Sequence, residues 1–162
     1  MTRGRALLLV TVGVMGVMGA GAVGARVSAP AVVKTAFNKK IGRAILVDVR
    51  GHTLYLFGAD TGGTSACTND PTYHCSKLWP PLRTTGTPVA GKGVNAKLLG
   101  TINRSDGTVQ VTYNHHPLYT LAGSRTLHFI PDRKPGDVNG QGQVDLWWVV
   151  APSGRAIKIR VS

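Results

Sequence analysis

The chain has 162 residues and a formal net charge of +12, enough for one domain with a modest core. All seven acids are Asp, Gly occurs 21 times, and Thr and Val are frequent; this excludes a helix-dominated fold and favours strands and turns. The basic residues are scattered: only Lys39-Lys40 and Arg133-Lys134 are adjacent pairs, and no aromatics interleave with them, so a specific nucleic-acid surface is not expected.

In chain order, Arg3 and Arg5 precede an uncharged apolar run over residues 6–25. That is the pattern of a signal peptide, with small residues at candidate cleavage sites around residues 20–29. The alternative is an uncleaved membrane anchor, since twenty apolar residues just span a bilayer. Glycines and the scarcity of large aliphatics after Val10 favour cleavage over residues 1–25. Without Arg3 and Arg5, seventeen basic residues face seven acids, leaving about +10. Such a charge has two readings: attraction to an anionic cell-wall or membrane surface, or a merely solvated exterior.

Residues 26–42 lack periodicity, contain Pro30, and are read as a partly disordered linker before a β-domain over residues 43–162. Residues 44–49 are a β-branched run. Arg50-Gly51 supplies a turn, and residues 53–57 return as a second strand, giving a hairpin. Alternation puts Thr53, Tyr55 and Phe57 on one face and Leu54 and Leu56 on the other. Both faces are apolar, so the strand is expected to be central. A polar loop follows, then one helical turn over residues 76–79 stopped by Pro80-Pro81, and a second linker over residues 83–97. Further strands are expected at residues 98–102, 109–113, 117–121 and 127–130. Ser105-Asp106-Gly107 and Asn114-His115 are the turns between them. Residues 132–143 form a Gly-rich loop, and residues 146–150 and 156–159 a closing hairpin. The stretch HHPLYTLAGS from His115 echoes GHTLYLFGAD from Gly51. The expected fold is all-β, an antiparallel meander of sandwich or barrel-like type, built from two pseudo-repeated halves.

Cys67 and Cys75 form the pair of cysteines. In an exported chain the simplest reading is a disulfide, which stabilises by about 2–3 kcal/mol. The alternatives are a thiolate metal site or haem attachment, but neither C-x-x-C nor C-x-x-C-H is present.

Gly51-x-x-Leu54-Tyr55-x-Phe57-x-x-Asp60, Ser65-x-Cys67, Cys75 and Trp79-Pro80-Pro81-Leu82 resemble the bacterial "secreted repeat of unknown function", described also as predicted lipoproteins with a Y-x-[FWY]-x-x-D motif. Arg104-Ser105-Asp106-Gly107, Pro117-Leu118-Tyr119, Pro135-Gly136-Asp137 and Trp147 continue the likeness, which spans about residues 43–155. The resemblance marks Tyr55, Phe57, Asp60, Trp79, Tyr119 and Asp137 as motif residues and implies export and a repeat architecture. It brings no established activity and no cofactor. No Cys lies near the cleavage region, so a lipid anchor is not implied. In the second copy Leu121 and Ser124 replace the aromatic and the Asp, and an insertion around residues 125–132 follows. On that alignment only the first Asp of a pair is retained.

Asp60-Thr61-Gly62 matches the aspartic-protease triplet, but the second half offers no D-[ST]-G. The structural reading is that Asp60 accepts two or three backbone N–H bonds, pins the loop bearing Cys67, and has a lowered pKa. His52, Asp60 and Asp137 are candidate metal ligands, though no ligand spacing joins them. The segment from Asp137 to Gly142 has the oxygen-rich look of a calcium loop without the full donor set. The aromatics are expected to form the core between the halves. One of the adjacent Trp147 and Trp148 is a candidate ligand-facing ring. The leading expectation is a non-enzymatic exported domain with a binding or structural role at the envelope. The alternative is a metal-dependent or hydrolytic activity centred on Asp60 and nearby His. No small-molecule ligand is defined.

Overall fold

A computed structural model describes Met1 and residues 29–161. The leader or anchor expected at residues 1–25 lies outside the described residues. Among those described, no helix is long and apolar enough to cross a membrane.

The elements are β1 (Val32–Asn38), β2 (Arg43–Asp48), β3 (Tyr55–Phe57), α1 (Cys75–Leu78), β4 (Val89–Ala90), β5 (Leu99–Asn103), β6 (Val109–Tyr113), β7 (His116–Pro117) and β8 (Trp147–Val149). They form sheets ordered β2-β1-β4, β3-β8 and β5-β6-β7, antiparallel throughout except for the parallel pair β1–β4. The expected all-β fold of two repeated halves holds.

Four segments differ from expectation. Residues 32–38, read as linker, form the longest strand, so the domain begins before residue 43. The strand escapes periodicity because Ala36 and Phe37 stay exposed while Val33 and Asn38 are buried; its backbone pairing, with β2 on one side and β4 on the other, fixes it. Residues 83–97 likewise hold β4 rather than a free linker. The stretch at residues 127–130 contributes only the bridge between Ser124 and Phe129, and the closing hairpin is a single bridge, Val150 to Ala156.

The alternation read from sequence separates two cores. Ile45, Val47, Tyr55, Tyr119, Trp147 and Val149 belong to one; Leu46, Leu54, Leu56, Leu118, Trp148 and Val150 belong to the other. Adjacent residues on each strand thus face opposite apolar layers, which is why β3 is hydrophobic on both sides.

The backbone reveals how the halves join. Leu46 N donates to Val150 O (2.9 Å), Leu54 N to Leu46 O (3.0 Å) and Val150 N to Leu54 O (3.2 Å), closing a triangle. The second half repeats it: Val111 N donates to Leu82 O (2.8 Å), Leu118 N to Val111 O (3.0 Å) and Leu82 N to Leu118 O (2.8 Å). Leu46 corresponds to Val111, Leu54 to Leu118, and Val150 to Leu82. The third corner of each triangle therefore comes from the other half. The two halves exchange their final segments.

Candidate functional site

The motif aromatics Tyr55, Phe57, Trp79, Tyr119 and Trp147 meet where the two halves join. Tyr55 and Tyr119 donate backbone N–H bonds to each other's carbonyls, at 2.9 and 3.0 Å. Trp79 and Trp147, at equivalent positions before the exchanged segments, stack with centroids 3.9 Å apart and planes 3° apart. Tyr55 meets Trp79 edge-on at 5.3 Å, Tyr119 meets Trp147 edge-on at 5.1 Å, and Phe57 stacks on Trp147 at 4.3 Å. Aromatic pairs in such geometries add to the energy of burial. Trp147 and Trp148 are both buried, one in each core, so neither is the ligand-facing ring expected from their adjacency.

Each tyrosine hydroxyl reaches an aspartate of the other half. Tyr119 Oη donates to Asp60 Oδ2 (2.9 Å), and Ala66 N donates to Asp60 Oδ1 (2.8 Å). Tyr55 Oη donates to Asp132 Oδ2 (2.5 Å), and Asn139 N donates to Asp132 Oδ1 (2.9 Å). The reading that only the first Asp is retained is thus corrected. Asp132, at the end of the insertion, does in the second half what Asp60 does in the first. Its signal was an acid eight residues beyond Ser124, hidden because the longer loop shifts it out of register. Asp137 is not the counterpart. Its Oδ2 accepts from Arg133 N (3.0 Å) and Lys134 N (3.2 Å), shaping its own turn.

Around these pairs the halves diverge. Beside Tyr119 lies buried Arg104, which sequence reading passed over as part of a turn motif. Its Nη1 donates to Ser65 Oγ (2.7 Å) and Gln110 Oε1 (2.6 Å), and its Nη2 to Cys67 O (2.6 Å). Ser65 Oγ also lies 2.8 Å from Tyr119 Oη, and Gln110 Nε2 donates to Leu118 O (2.8 Å). Arg104 Nε makes no hydrogen bond among the described residues and sits 3.8 Å from Asp106 Oδ2. Beside Tyr55 the network is smaller: Gly140 N donates to Tyr55 Oη (3.2 Å). Ile45, buried in the aromatic core, takes the place of Gln110. Cys67 and Cys75 form the expected disulfide, with Cα atoms 5.2 Å apart, and it closes the loop following Asp60.

Electrostatics correct one expectation. Burial pushes the Asp60 carboxyl up to about 6, outweighing the Ala66 and Tyr119 hydrogen bonds and the nearby Arg104 charge, all of which lower it. Asp132 is raised too, again by burial first. Tyr119 and Tyr55 are raised above the phenol range by burial and then by their aspartates. Asp60 accepts one backbone N–H rather than two or three, which is why its pKa rises instead of falling.

The candidate metal ligands do not converge. His52 Nδ1 lies 3.5 Å from Asp48 Oδ2, while Asp60 and Asp137 serve the separate loops already described. Among the described residues no three His, Cys, Asp or Glu side chains group as a metal site. Both oxygens of Asp60 and of Asp132 are engaged by the chain itself, and each Asp bonds a different tyrosine, an arrangement unlike two carboxylates sharing one proton. The Asn139-Gly140 stretch of the calcium-like loop is likewise committed to Asp132 and Tyr55.

A duplicated all-β unit, cross-latched by Tyr–Asp pairs and closed by one disulfide, is the class of protein these features define. The family of secreted repeats of unknown function matches residues 36–83 and 100–151, one match per half, and the chain belongs to that family. It is an extracytoplasmic domain of the cell envelope or secreted fraction. No curated protein and no solved structure matches it.

Proposed function

We propose that this exported domain works without catalysis, as a binding or structural module held at the envelope by attraction of its positive surface to anionic polymers. The observation that carries the reading is how the two signs of charge are used. Each of the seven aspartates accepts hydrogen bonds from its own chain or pairs with an arginine. By contrast, among the arginines and lysines of the described residues only Arg50, Arg83, Arg104 and Arg160 approach a carboxylate within ion-pair distance, and no lysine does. Acids are spent on loops, while most cations are left to solvent and to whatever anion approaches. Exposed charges of this kind act over about a Debye length, ~10 Å at 0.1 M salt.

The test is retention of the secreted protein on isolated cell wall and on anionic vesicles across a salt series. Retention is expected at low salt and release as salt rises. Binding that does not weaken between low and high salt removes the electrostatic basis of the reading.

A further inference from the structure

The second half has an open edge where the first has a covered one. Leu46 lies opposite Thr35, and Val111 opposite Thr101. Since Leu46 corresponds to Val111, β5 is the counterpart of β1, and Val33, Lys34 and Thr35 correspond to Leu99, Gly100 and Thr101. The outer side of β1 is occupied. Gly91 N donates to Val33 O (2.7 Å) and Thr35 N to Lys92 O (2.9 Å), so residues 89–92 run along it in parallel. β5, by contrast, ends its sheet.

Asn114 N donates to Leu98 O (2.7 Å) and Arg104 N to Thr108 O (2.9 Å). Alternation therefore turns the main chain of Gly100 and Ile102 toward β6 and that of Leu99, Thr101 and Asn103 outward. Leu99 O and Thr101 N are the counterparts of the bonded Val33 O and Thr35 N. Neither meets a main-chain partner among the described residues. The strand, Leu-Gly-Thr-Ile-Asn, has none of the charges or prolines that protect an open edge. The spacing that relates β1 to β5 carries residues 89–92 onto residues 23–26, which lie outside the described residues. The two sequences agree: Val89-Ala90-Gly91-Lys92 against Val23-Gly24-Ala25-Arg26. Their one steric difference is compensated. A Cβ on Gly91 would fall 2.9 Å from Lys34 Cβ, whereas the counterpart of Lys34 beside Ala25 is Gly100, which has no Cβ. Arg26 precedes Val33 by as many residues as Lys92 precedes Leu99, so the connecting chain has the same reach. The likeness stops at Val27, since a β-branched residue does not take the +77° of Gly93.

We propose that residues 23–26 stay with the exported domain and add to β5 as a parallel strand, with Ala25 N donating to Leu99 O and Thr101 N to Arg26 O. Main-chain bonds of this kind add a strand to an open edge. Each half then covers the other's edge with the segment that precedes its own first strand. The proposal moves the end of the leader from residue 25 to Ala22. Of the small-residue cleavage sites, Ala20-Gly21-Ala22, cut after Ala22, preserves the segment, while a cut after Ala25 or Ala29 removes it. An edge that invites a foreign chain is thereby closed within one molecule.

The experiment reads the first residue of the secreted protein by intact mass and follows amide hydrogen exchange at Thr101. Thr35, bonded to Lys92 O, is the internal reference. Four chains are compared: wild type, a chain starting at residue 29 behind another leader, Gly100→Ala, and G100A/A25G. The wild type should start at or before Val23 and protect Thr101 as it protects Thr35. A start beyond Val23 overturns the proposal, and so does an unprotected Thr101. The shortened chain should lose protection at Thr101 and keep it at Thr35. Protection of Thr101 that survives the shortening means that a second copy or another segment covers β5, and overturns the proposal as well. Gly100→Ala should lose protection at Thr101, because its Cβ meets Ala25, and Ala25→Gly should restore it. This pair decides even where the shortened chain fails to fold. No loss in Gly100→Ala overturns the placement of Ala25. A loss that Ala25→Gly does not restore traces instead to Thr112 Oγ1, 2.9 Å from that Cβ, and overturns it equally.

Discussion

The Tyr119–Asp60 and Tyr55–Asp132 pairs have the same design and different surroundings. In each, a tyrosine of one half donates to an aspartate of the other, and the second carboxylate oxygen takes a backbone N–H six or seven residues on. The Tyr119 side is finished with a buried guanidinium, a glutamine and a disulfide. The Tyr55 side is finished with close packing, where a Cβ on Gly140 would lie 2.6 Å from Trp79 and 2.8 Å from Tyr55. The same loop-to-core latch is therefore held by polar connections in one half and by steric fit in the other, and the two sides should break in different ways.

The largest effect should come from Arg104→Ala. It strands Gln110 Oε1, leaves the buried Cys67 carbonyl with only a long bond from Ser65 Oγ (3.3 Å), and should cost about 3 kcal/mol, read by urea unfolding of the oxidised protein. Arg104→Lys should rescue only part of this, since a single ammonium cannot reproduce contacts made through two guanidinium nitrogens. On the other side Gly140→Ala forces Trp79 and Tyr55 apart and should cost about 2–3 kcal/mol. A neutral Gly140→Ala would show that the Tyr55 side has slack its geometry does not suggest.

Reduction of Cys67–Cys75, or the double serine variant, should cost about 2–3 kcal/mol. Hydrogen exchange should place the loosening in residues 60–78 and leave the loop at residues 132–140 protected. Non-reducing mass spectrometry of the secreted form should find no free thiol. Free thiols would mean that the Tyr119 side depends on its polar network alone.

Asp60→Ala and Asp132→Ala should each cost about 1–2 kcal/mol by leaving a tyrosine hydroxyl and a backbone N–H without an acceptor, with Asp60→Asn milder because its amide oxygen still accepts. The smallest effect is in pH. A carboxyl whose folded pKa lies above its unfolded value binds its proton more tightly when folded. Asp60, raised to about 6, therefore lowers stability as pH climbs from about 4 to 6. Asp70 and Asp106, whose pKa values are lowered by local hydrogen bonds, act in the opposite sense below that window. Thermal melts across pH 4–7 should show a shallower slope for Asp60→Asn than for wild type. An unchanged slope would mean that Asp60 does not titrate there.

Much of this arrangement was readable in the residues. The Leu-Tyr echo placed Tyr55 and Tyr119 at equivalent points, and alternation around Leu54, Tyr55 and Leu56 assigned their faces, because a period of two is a local property of a strand. Asp132 was not readable, since equivalence across loops of unequal length is settled by which backbone N–H the carboxylate meets. Arg104 was hidden for a related reason. A cation beside Ser105-Asp106-Gly107 looks like a surface turn until the loop bearing Ser65 and Cys67 folds over it. β1 was missed because its partners, β2 and β4, and not its own pattern, make it a strand.

The exchanged final segments bear on when this chain folds. Leu46 and Leu54 close their triangle only with Val150, about a hundred residues later, and contacts of such long range are slow to form. The first half therefore has no complete structure to adopt while the second is still being made or moved. In a chain delivered N-terminus first, the Leu82–Val111–Leu118 triangle has all its corners once residue 118 has emerged, whereas the Leu46–Leu54 corner stays open until Val150 arrives.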